Sequence, residues 1–503
     1  MSKRKRLIKT FLISGTAVIV NYLINYFLTK FITESVGIEA YGFVSIASTF
    51  VSYAQIITIA LTSFIVRYIS VSYHNKNQKE ANLYYSSSII ACVILSLLIF
   101  TISLLLILKI EKILVIPDKL IVEIKLLFVF VFLNFVIQTI VTPFSSFAYI
   151  KNRLDLTGIL KILSYLVNAA VLLLLFHILS PRLWFVGLGS FVASLTTLIL
   201  SILLTKKLTP DLKYSFSNVS FGKIKDLLSN GIWNSVNSLG NVLNSGLDLL
   251  ISNVLLSALA TGQISVAKSI GVLFTTLNQV TFQPFQPLMI ESYVNDTKEK
   301  LVLQIKKAMV FGGCFGAIAF AGFYSLGNLY LKLWLPDQDN NKIFVLVMLT
   351  VFVSLLSSIM QPIYYVYTLT LKNRMPCLIT ILGGLLNVLS MCIILKKTYL
   401  EAYGVVITTA IIMAIINLLF NPIYAARCLK IKINSFYSVI CKHIIATVVL
   451  CLIFKKISEF VNPIGWGGLI ISAIIMSIVG ILIYMVLQGR INEIKGLLFR
   501  RGN

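Results

Sequence analysis

Lys151-Asn152-Arg153 is read again at Lys372-Asn373-Arg374, 221 residues later. Working outward from these tripeptides, Pro143 has a counterpart in Pro362 and Asn168 in Asn387, both at an offset of 219. Gly42 pairs with Gly262, Tyr73 with Tyr293 and Asn75 with Asn295 at 220, and Gly187 with Gly404 at 217. A chain rich in Lys and Asn repeats a tripeptide by chance. Seven anchors whose offsets drift by only a few residues mark a duplication. Two equivalent membrane bundles around a central path are a common transporter design.

The medium is set by composition. Of the 503 residues, 58% are hydrophobic and only 12% charged, and the mean hydropathy is +0.92. A soluble chain of this size needs a far more polar surface. Repeated apolar runs of about 18 residues or more mean membrane helices. The net charge of +25 therefore points to basic loops beside anionic headgroups rather than to nucleic acid. The seven cysteines form no C-x-x-C pair, and Cys92, Cys314, Cys377, Cys392 and Cys451 lie in apolar runs. Cysteine there packs as a small hydrophobe, so neither a disulfide framework nor a metal site is expected. The start, Lys3-Arg4-Lys5-Arg6, imitates a signal peptide, but the apolar run from Phe11 to Ile32 is too long for an h-region and no small-x-small cleavage site follows. It reads as a retained first span.

The expected fold is an all-α integral membrane protein of about 14 spans between residues 11 and 487. Spans 1–6 form an N-terminal six-helix bundle over residues 1–205. A basic cytoplasmic linker covers 206–230, with five Lys and one Pro. Its Val219, Phe221, Ile224, Leu227 and Leu228 suit a short interfacial helix. Spans 7–12 form the second bundle over 231–427, and an appended two-helix hairpin over 428–503 has no repeat counterpart. With six spans per half, both halves keep one orientation, so the pseudo-axis runs along the membrane normal.

Span 7, residues 231–256, is the most unusual. Asn234, Asn237, Asn241, Asn244, Ser245, Asp248 and Ser252 recur at spacings of three and four and form one polar stripe. Lipid satisfies none of these groups, so the stripe faces protein or water. Interhelical hydrogen bonding suits any single Asn; a hydrated cavity suits the whole stripe. The repeat carries the pattern to span 1, residues 11–32, where Ser14, Asn21 and Asn25 stand opposite Asn234, Asn241 and Ser245. Asp248 is the one acidic residue deep in a span, and Lys268 on span 8 (263–290) reaches a similar depth. The two read either as a structural ion pair or as an ion or proton relay, with H+ or Na+ as coupling ion. Thr275, Gln279 and Gln286 follow on the Lys268 side, and Pro284 and Pro287 kink or end that span. On span 5 (157–179), Lys161, Tyr165 and Asn168 share a face, and Lys161 sits where it can snorkel. Arg67, Lys151, Arg153, Lys372 and Arg374 stand at cytoplasmic span ends. There they obey the charge rule or grip an anionic headgroup, for which the arginine fork is better suited than lysine.

No G-x-x-x-x-G-K-[ST], H-E-x-x-H or G-x-S-x-G occurs, and the loops are short and basic. An enzyme such as a membrane glycosyltransferase or polymerase is the weaker reading, and no cofactor is expected. The stretch Gly37-Ile-Glu-Ala-Tyr-Gly-Phe-Val-Ser-Ile-Ala47, then Ile65-Val-Arg67-Tyr-Ile, resembles the span 1–2 region of bacterial polysaccharide transporters. Leu247-Asp248-Leu-Leu-Ile and Thr261-Gly262-Gln-Ile-Ser-Val-Ala-Lys268 look like their span 7–8 junction. Family members often carry Arg or Lys directly after that Asp, where this chain has Leu249. The resemblance implies an O-antigen or capsule-repeat flippase of the multidrug/oligosaccharidyl-lipid/polysaccharide exporter superfamily in the bacterial cytoplasmic (inner) membrane. Its expected partners are a lipid-linked oligosaccharide, membrane lipids, and the polysaccharide polymerase and chain-length machinery. A cation-coupled drug exporter and a peptidoglycan-precursor flippase share the superfamily; the hairpin disfavours the first, which typically has twelve spans.

Charge orients the chain. With the N-terminus inside, thirty of the 43 Lys and Arg residues fall in cytoplasmic segments and their flanks, which favours cytoplasmic termini. A cytoplasmic reporter fused after Asn503 is expected to be active, and one within Glu34–Glu39 silent. Activity of an external reporter at the C-terminus would overturn this topology.

Overall fold

A chain in hydrocarbon must satisfy its own backbone, and helix is the open-ended way to do so. In the computed structural model, which describes residues 3–151, 153–283, 285–295, 297–370 and 372–489, every regular element is helical among the described residues. Contacts divide the chain into two units, Met1–Gly262 and Gln263–Asn503. The first holds α1 (Lys3–Val36), α2 (Ile38–His74), α3 (Gln78–Leu108), α4 (Ile121–Phe144), α5 (Ser146–Ile150), α6 (Leu154–Ile178), α7 (Trp184–Leu208), α8 (Phe221–Ser245) and α9 (Asp248–Leu255). The division falls inside α10 (Ala258–Phe282). The second unit continues with α11 (Phe285–Asn295), α12 (Lys298–Trp334), α13 (Asn340–Leu369), α14 (Arg374–Lys397), α15 (Glu401–Ile415), α16 (Asn421–Leu429), α17 (Tyr437–Val461) and α18 (Gly465–Leu487). The contact division is a separate property from the boundary expected at 206–230.

Twelve stretches among the described residues are long and apolar enough to cross a membrane. The expected count of fourteen differs by two: α1 and α8 are helices at the expected spans 1 and 7, but stand outside the twelve.

In the first unit α2 is the shared wall, with α3, α4 and α8 packed along it. Glycines allow the close approach. A methyl on Gly42 would lie 2.9 Å from the Gly262 nitrogen, and one on Gly262 would drive into the Ile38 carbonyl. A methyl on Gly231 of α8 would drive into the Ala60 carbonyl of α2.

The 206–230 segment departs from expectation. Instead of a separate interfacial helix, the chain from Phe221 is the start of α8 itself. Leu227 is fully buried and packs with Ile224 against Leu61, Ile65 and Tyr84. The preceding stretch is strapped across α3 by side chains that accept from its backbone. The Lys213 N–H donates to Asn82 Oδ1 at 3.0 Å, Ser215 N–H to Ser86 Oγ at 3.2 Å and Ser220 N–H to Ser87 Oγ at 2.8 Å. Tyr73 Oη donates to Asp211 Oδ2 at 3.0 Å and receives from Lys151 Nζ at 3.4 Å, which joins two of the repeat anchors. Lys223 pairs with Glu80 at 2.7 Å and lies 4.4 Å over the Tyr84 ring. The Glu80 hydrogen bond, more than the Tyr84 contact, raises the Lys223 pKa. A raised amine pKa keeps its contribution below the unfolded value and loses it only as pH rises through the folded value, so this clamp persists through the neutral range.

The second unit is built on α12. Its Ile305, Met309 and Ala317 share a core with Ile359 and Met360 of α13, Leu450 of α17 and Met476 of α18. The hairpin α17–α18 therefore docks on α12. At that seam His443 Nδ1 and Tyr484 Oη are 2.9 Å apart, in space that exists because Gly313 has no side chain. Span 8 does end as its prolines suggest: α10 stops at Phe282 and α11 resumes at Phe285, with Pro284 itself outside the described residues.

Glycine substitutions test this packing. Gly231→Leu meets α2 backbone rather than a movable side-chain end, so it is expected to cost at least the ~1–3 kcal/mol of ordinary overpacking. Gly322→Ala, with open space around it, is expected to stay within ~1 kcal/mol of wild type. Denaturant unfolding in detergent reads the difference; equal stability of the two variants would overturn the α2–α8 seam.

Candidate functional site

The polar span is not one helix. α8 ends at Ser245, and α9 starts at Asp248 after Gly246-Leu247. The local sequence explains the break. Asn244 Nδ2 donates to the Gly240 carbonyl at 2.9 Å, taking an acceptor of its own helix. At Gly246 a methyl would lie 2.8 Å from the Val242 carbonyl oxygen. The carbonyl of Gly246, released by the break, accepts from Tyr53 Oη of α2 at 2.8 Å. A discontinuous helix inside a membrane survives only with such substitute partners, and it recurs at transporter sites.

The break divides the expected stripe. Asn234 and Asn241 are exposed on α8, and Asn244 is buried; the side chains of Asn237 and Ser245 lie outside the described residues. Asp248 becomes the first residue of α9 and is buried, 6% exposed. There its carboxylate meets the partial positive charge of a helix N-terminus. Beyond it, Ser252 Oγ and Thr261 Oγ1 are 3.2 Å apart. Asn253 ties α9 to the segment after α3: its Oδ1 accepts from the Val115 N–H at 2.9 Å, and its Nδ2 donates to the Val115 carbonyl at 3.3 Å.

The counterpart helix α1 carries Asn21 and Asn25 as an internal pair, Asn25 Nδ2 donating to Asn21 Oδ1 at 2.7 Å; the Ser14 side chain lies outside the described residues. On α6, Lys161 is exposed, and Asn168 packs on Gly189 of α7, where a methyl would lie 2.6 Å from Asn168 Oδ1. Arg67 is exposed on α2, 5.9 Å over the Phe64 ring. Arg153 grips Asp155 with both prongs, Nε to Oδ1 at 2.9 Å and Nη2 to Oδ2 at 3.3 Å. In the second unit Lys268 is half-buried on α10 and Arg374 is exposed at the start of α14. Thr275 Oγ1 stands 3.0 Å from Ser354 Oγ of α13.

One buried polar group escaped the sequence reading. Between α15 and α16 the chain makes a π-helical turn, Ile416–Phe420. Tyr364 Oη donates to Asn417 Oδ1 at 2.5 Å, Asn421 Nδ2 to the same oxygen at 3.0 Å, and Tyr367 Oη to Asn421 Oδ1 at 3.0 Å. The signal was present as a Tyr pair spaced by three and an Asn pair spaced by four. Such π-turns frequently mark functional positions. No three His, Cys, Asp or Glu side chains converge to hold a metal among the described residues.

Twelve stretches long and apolar enough to cross a membrane among the described residues, with an interrupted polar helix beside them, define a polytopic membrane protein. The polysaccharide biosynthesis protein family matches residues 7–291, more than half of the chain, and the chain belongs to that family. EpsK of Bacillus subtilis (strain 168), described as an uncharacterized membrane protein, is 27% identical over 462 residues, 92% of this chain and 91% of EpsK. The lipid II flippase MurJ in its inward closed conformation superimposes with a TM-score of 0.69 at 15% identity, over 97% of this chain and 100% of MurJ. An inward-facing multidrug resistance MATE family transporter of the MOP superfamily gives 0.65 at 15% identity, over 84% and 99% of the two chains. The fold is that of MurJ and the MATE transporters.

Tyr53 is testable apart from any cargo. Tyr53→Phe keeps the ring and strands the Gly246 carbonyl, a loss of ~1–3 kcal/mol for an unsatisfied buried group. Equilibrium unfolding of the purified variant is expected to show that loss. Wild-type stability would mean the released carbonyl is served by another partner.

Proposed function

We propose that this chain is a flippase that carries a polyprenyl-diphosphate-linked oligosaccharide, an O-antigen or capsule repeat unit, from the inner to the outer leaflet of the bacterial cytoplasmic membrane. The observation that supports it most is the interrupted polar helix α8–α9 in a chain of the polysaccharide biosynthesis family. A sugar headgroup needs a wet path, which the exposed Asn234 and Asn241 suit. The lipid tail can remain in the bilayer. Rocking of the two repeats would open the path to each side in turn. The product would pass to a polysaccharide polymerase and chain-length machinery. The superposition on MurJ, a lipid II flippase, supports a peptidoglycan-precursor cargo as the second reading.

The diphosphate needs positive charge, and Arg67, Arg153 and Arg374 are offered for it. Asp155 already holds Arg153 in the two-pronged geometry that a phosphate would use, so cargo would displace or share that carboxylate. In this proposal Asp248 and Lys268 pair as the relay that couples transport to H+ or Na+.

Two sets of variants test the reading. Arg153→Lys with Arg374→Lys keeps the loop charge and removes the fork; lipid-linked repeat is expected to accumulate on the inner leaflet several-fold at matched protein levels, since each charge-assisted contact carries roughly 1.5–3 kcal/mol. Normal surface polysaccharide in that double variant would mean the arginines only orient the helices. Asp248→Asn is expected to impair transport, and adding Lys268→Gln to restore part of it. Normal transport in both single variants would eliminate the pair.

A further inference from the structure

The strap between α7 and α8, together with the first residue of α8, presents three large aromatic side chains that the rest of the first unit leaves uncovered. Tyr214, Phe216 and Phe221 are 49%, 75% and 81% exposed, whereas their neighbours Leu212 and Leu227 are buried. Four exposed lysines, Lys206, Lys207, Lys213 and Lys225, lie among them. We propose that this strap is a docking surface for the headgroup layer of an anionic lipid leaflet, its aromatic rings acting as shallow anchors and its lysines contacting phosphate.

Four observations carry this. The Phe216 and Phe221 rings gain by entering the headgroup–acyl boundary, as Phe does on the apolar face of an interfacial segment, and Tyr214 has an apolar ring with a polar hydroxyl, which suits the interface itself. The backbone that carries Tyr214 and Phe216 is held in place, because Asn82, Ser86 and Ser87 accept from the N–H groups of Lys213, Ser215 and Ser220. A surface held in this way loses little freedom on binding. The strap begins where α7 ends, with Lys206-Lys207 in its last turn, so it emerges beside the bilayer surface. The lysines complete the choice of occupant: an apolar protein face would have to desolvate them, whereas an anionic leaflet attracts them. The inference does not depend on the cargo, because it uses no residue of the proposed path.

A solvent-sensitive fluorescent amino acid placed at position 216 of the full chain by amber suppression reads the outcome. The exposure of Phe216 lets the probe fit without repacking. In phosphatidylglycerol vesicles the probe is expected to be quenched by brominated acyl chains and protected from aqueous iodide. Both effects are expected to be lost in phosphatidylcholine vesicles, and in phosphatidylglycerol when the four lysines are changed together to Gln. Equal iodide quenching in both lipids would show a solvent-facing loop and overturn the proposal. Protection from iodide and bromolipid alike would place a protein on the strap, and bromolipid quenching indifferent to headgroup and lysines would remove the anionic recognition; either result overturns it.

Discussion

Backbone satisfaction in hydrocarbon governs this structure. Every place where a helix is interrupted is a place where a carbonyl would be stranded. Three interruptions are met by a hydroxyl from a neighbouring helix. Tyr53 of α2 donates to Gly246 at the α8–α9 break. Thr205 of α7 donates to Phe144 at 2.7 Å, where α4 gives way to α5 just after Pro143. Tyr437 donates to Leu418 at 2.9 Å within the π-turn. The irregularities are thus joints of the packing, each fixed from outside its own helix.

That arrangement explains what the sequence reveals and what it hides. Membrane helices are legible because hydropathy is a property of the linear chain. Breaks are legible only in part. Pro284 and Pro287 announce the end of α10, but Gly246 is one glycine among 27, and its partner Tyr53 lies 193 residues away. The run from Phe221 to Leu228 looks interfacial by composition. It becomes the start of α8 because Leu61, Ile65 and Tyr84 bury Leu227. The acceptors Asn82, Ser86 and Ser87 that strap the linker sit about 130 residues before it, and nothing in their spacing names what they bind.

The candidate site shows the same division. The sequence singles out Asp248 and the Asn run through the cost of polar groups in lipid. It does not reveal that Asp248 opens a new helix, nor that Asp155 already occupies Arg153. Isolated spans also give no sign of the Tyr364–Asn417–Asn421–Tyr367 network, since each member alone reads as ordinary interhelical glue. Cost identifies polar residues in a membrane; only packing says which of them are already spoken for.

The hairpin seam has a consequence in time. Gly313 meets Tyr484 and His443, residues synthesised about 170 and 130 positions later. At ribosomal rates of ~5–20 residues per second, the α12 face stays without its cover for roughly ten to thirty seconds after it enters the bilayer. During that interval the face is open to lipid. The arrival of α18 therefore completes the cover of α12 among the described helices.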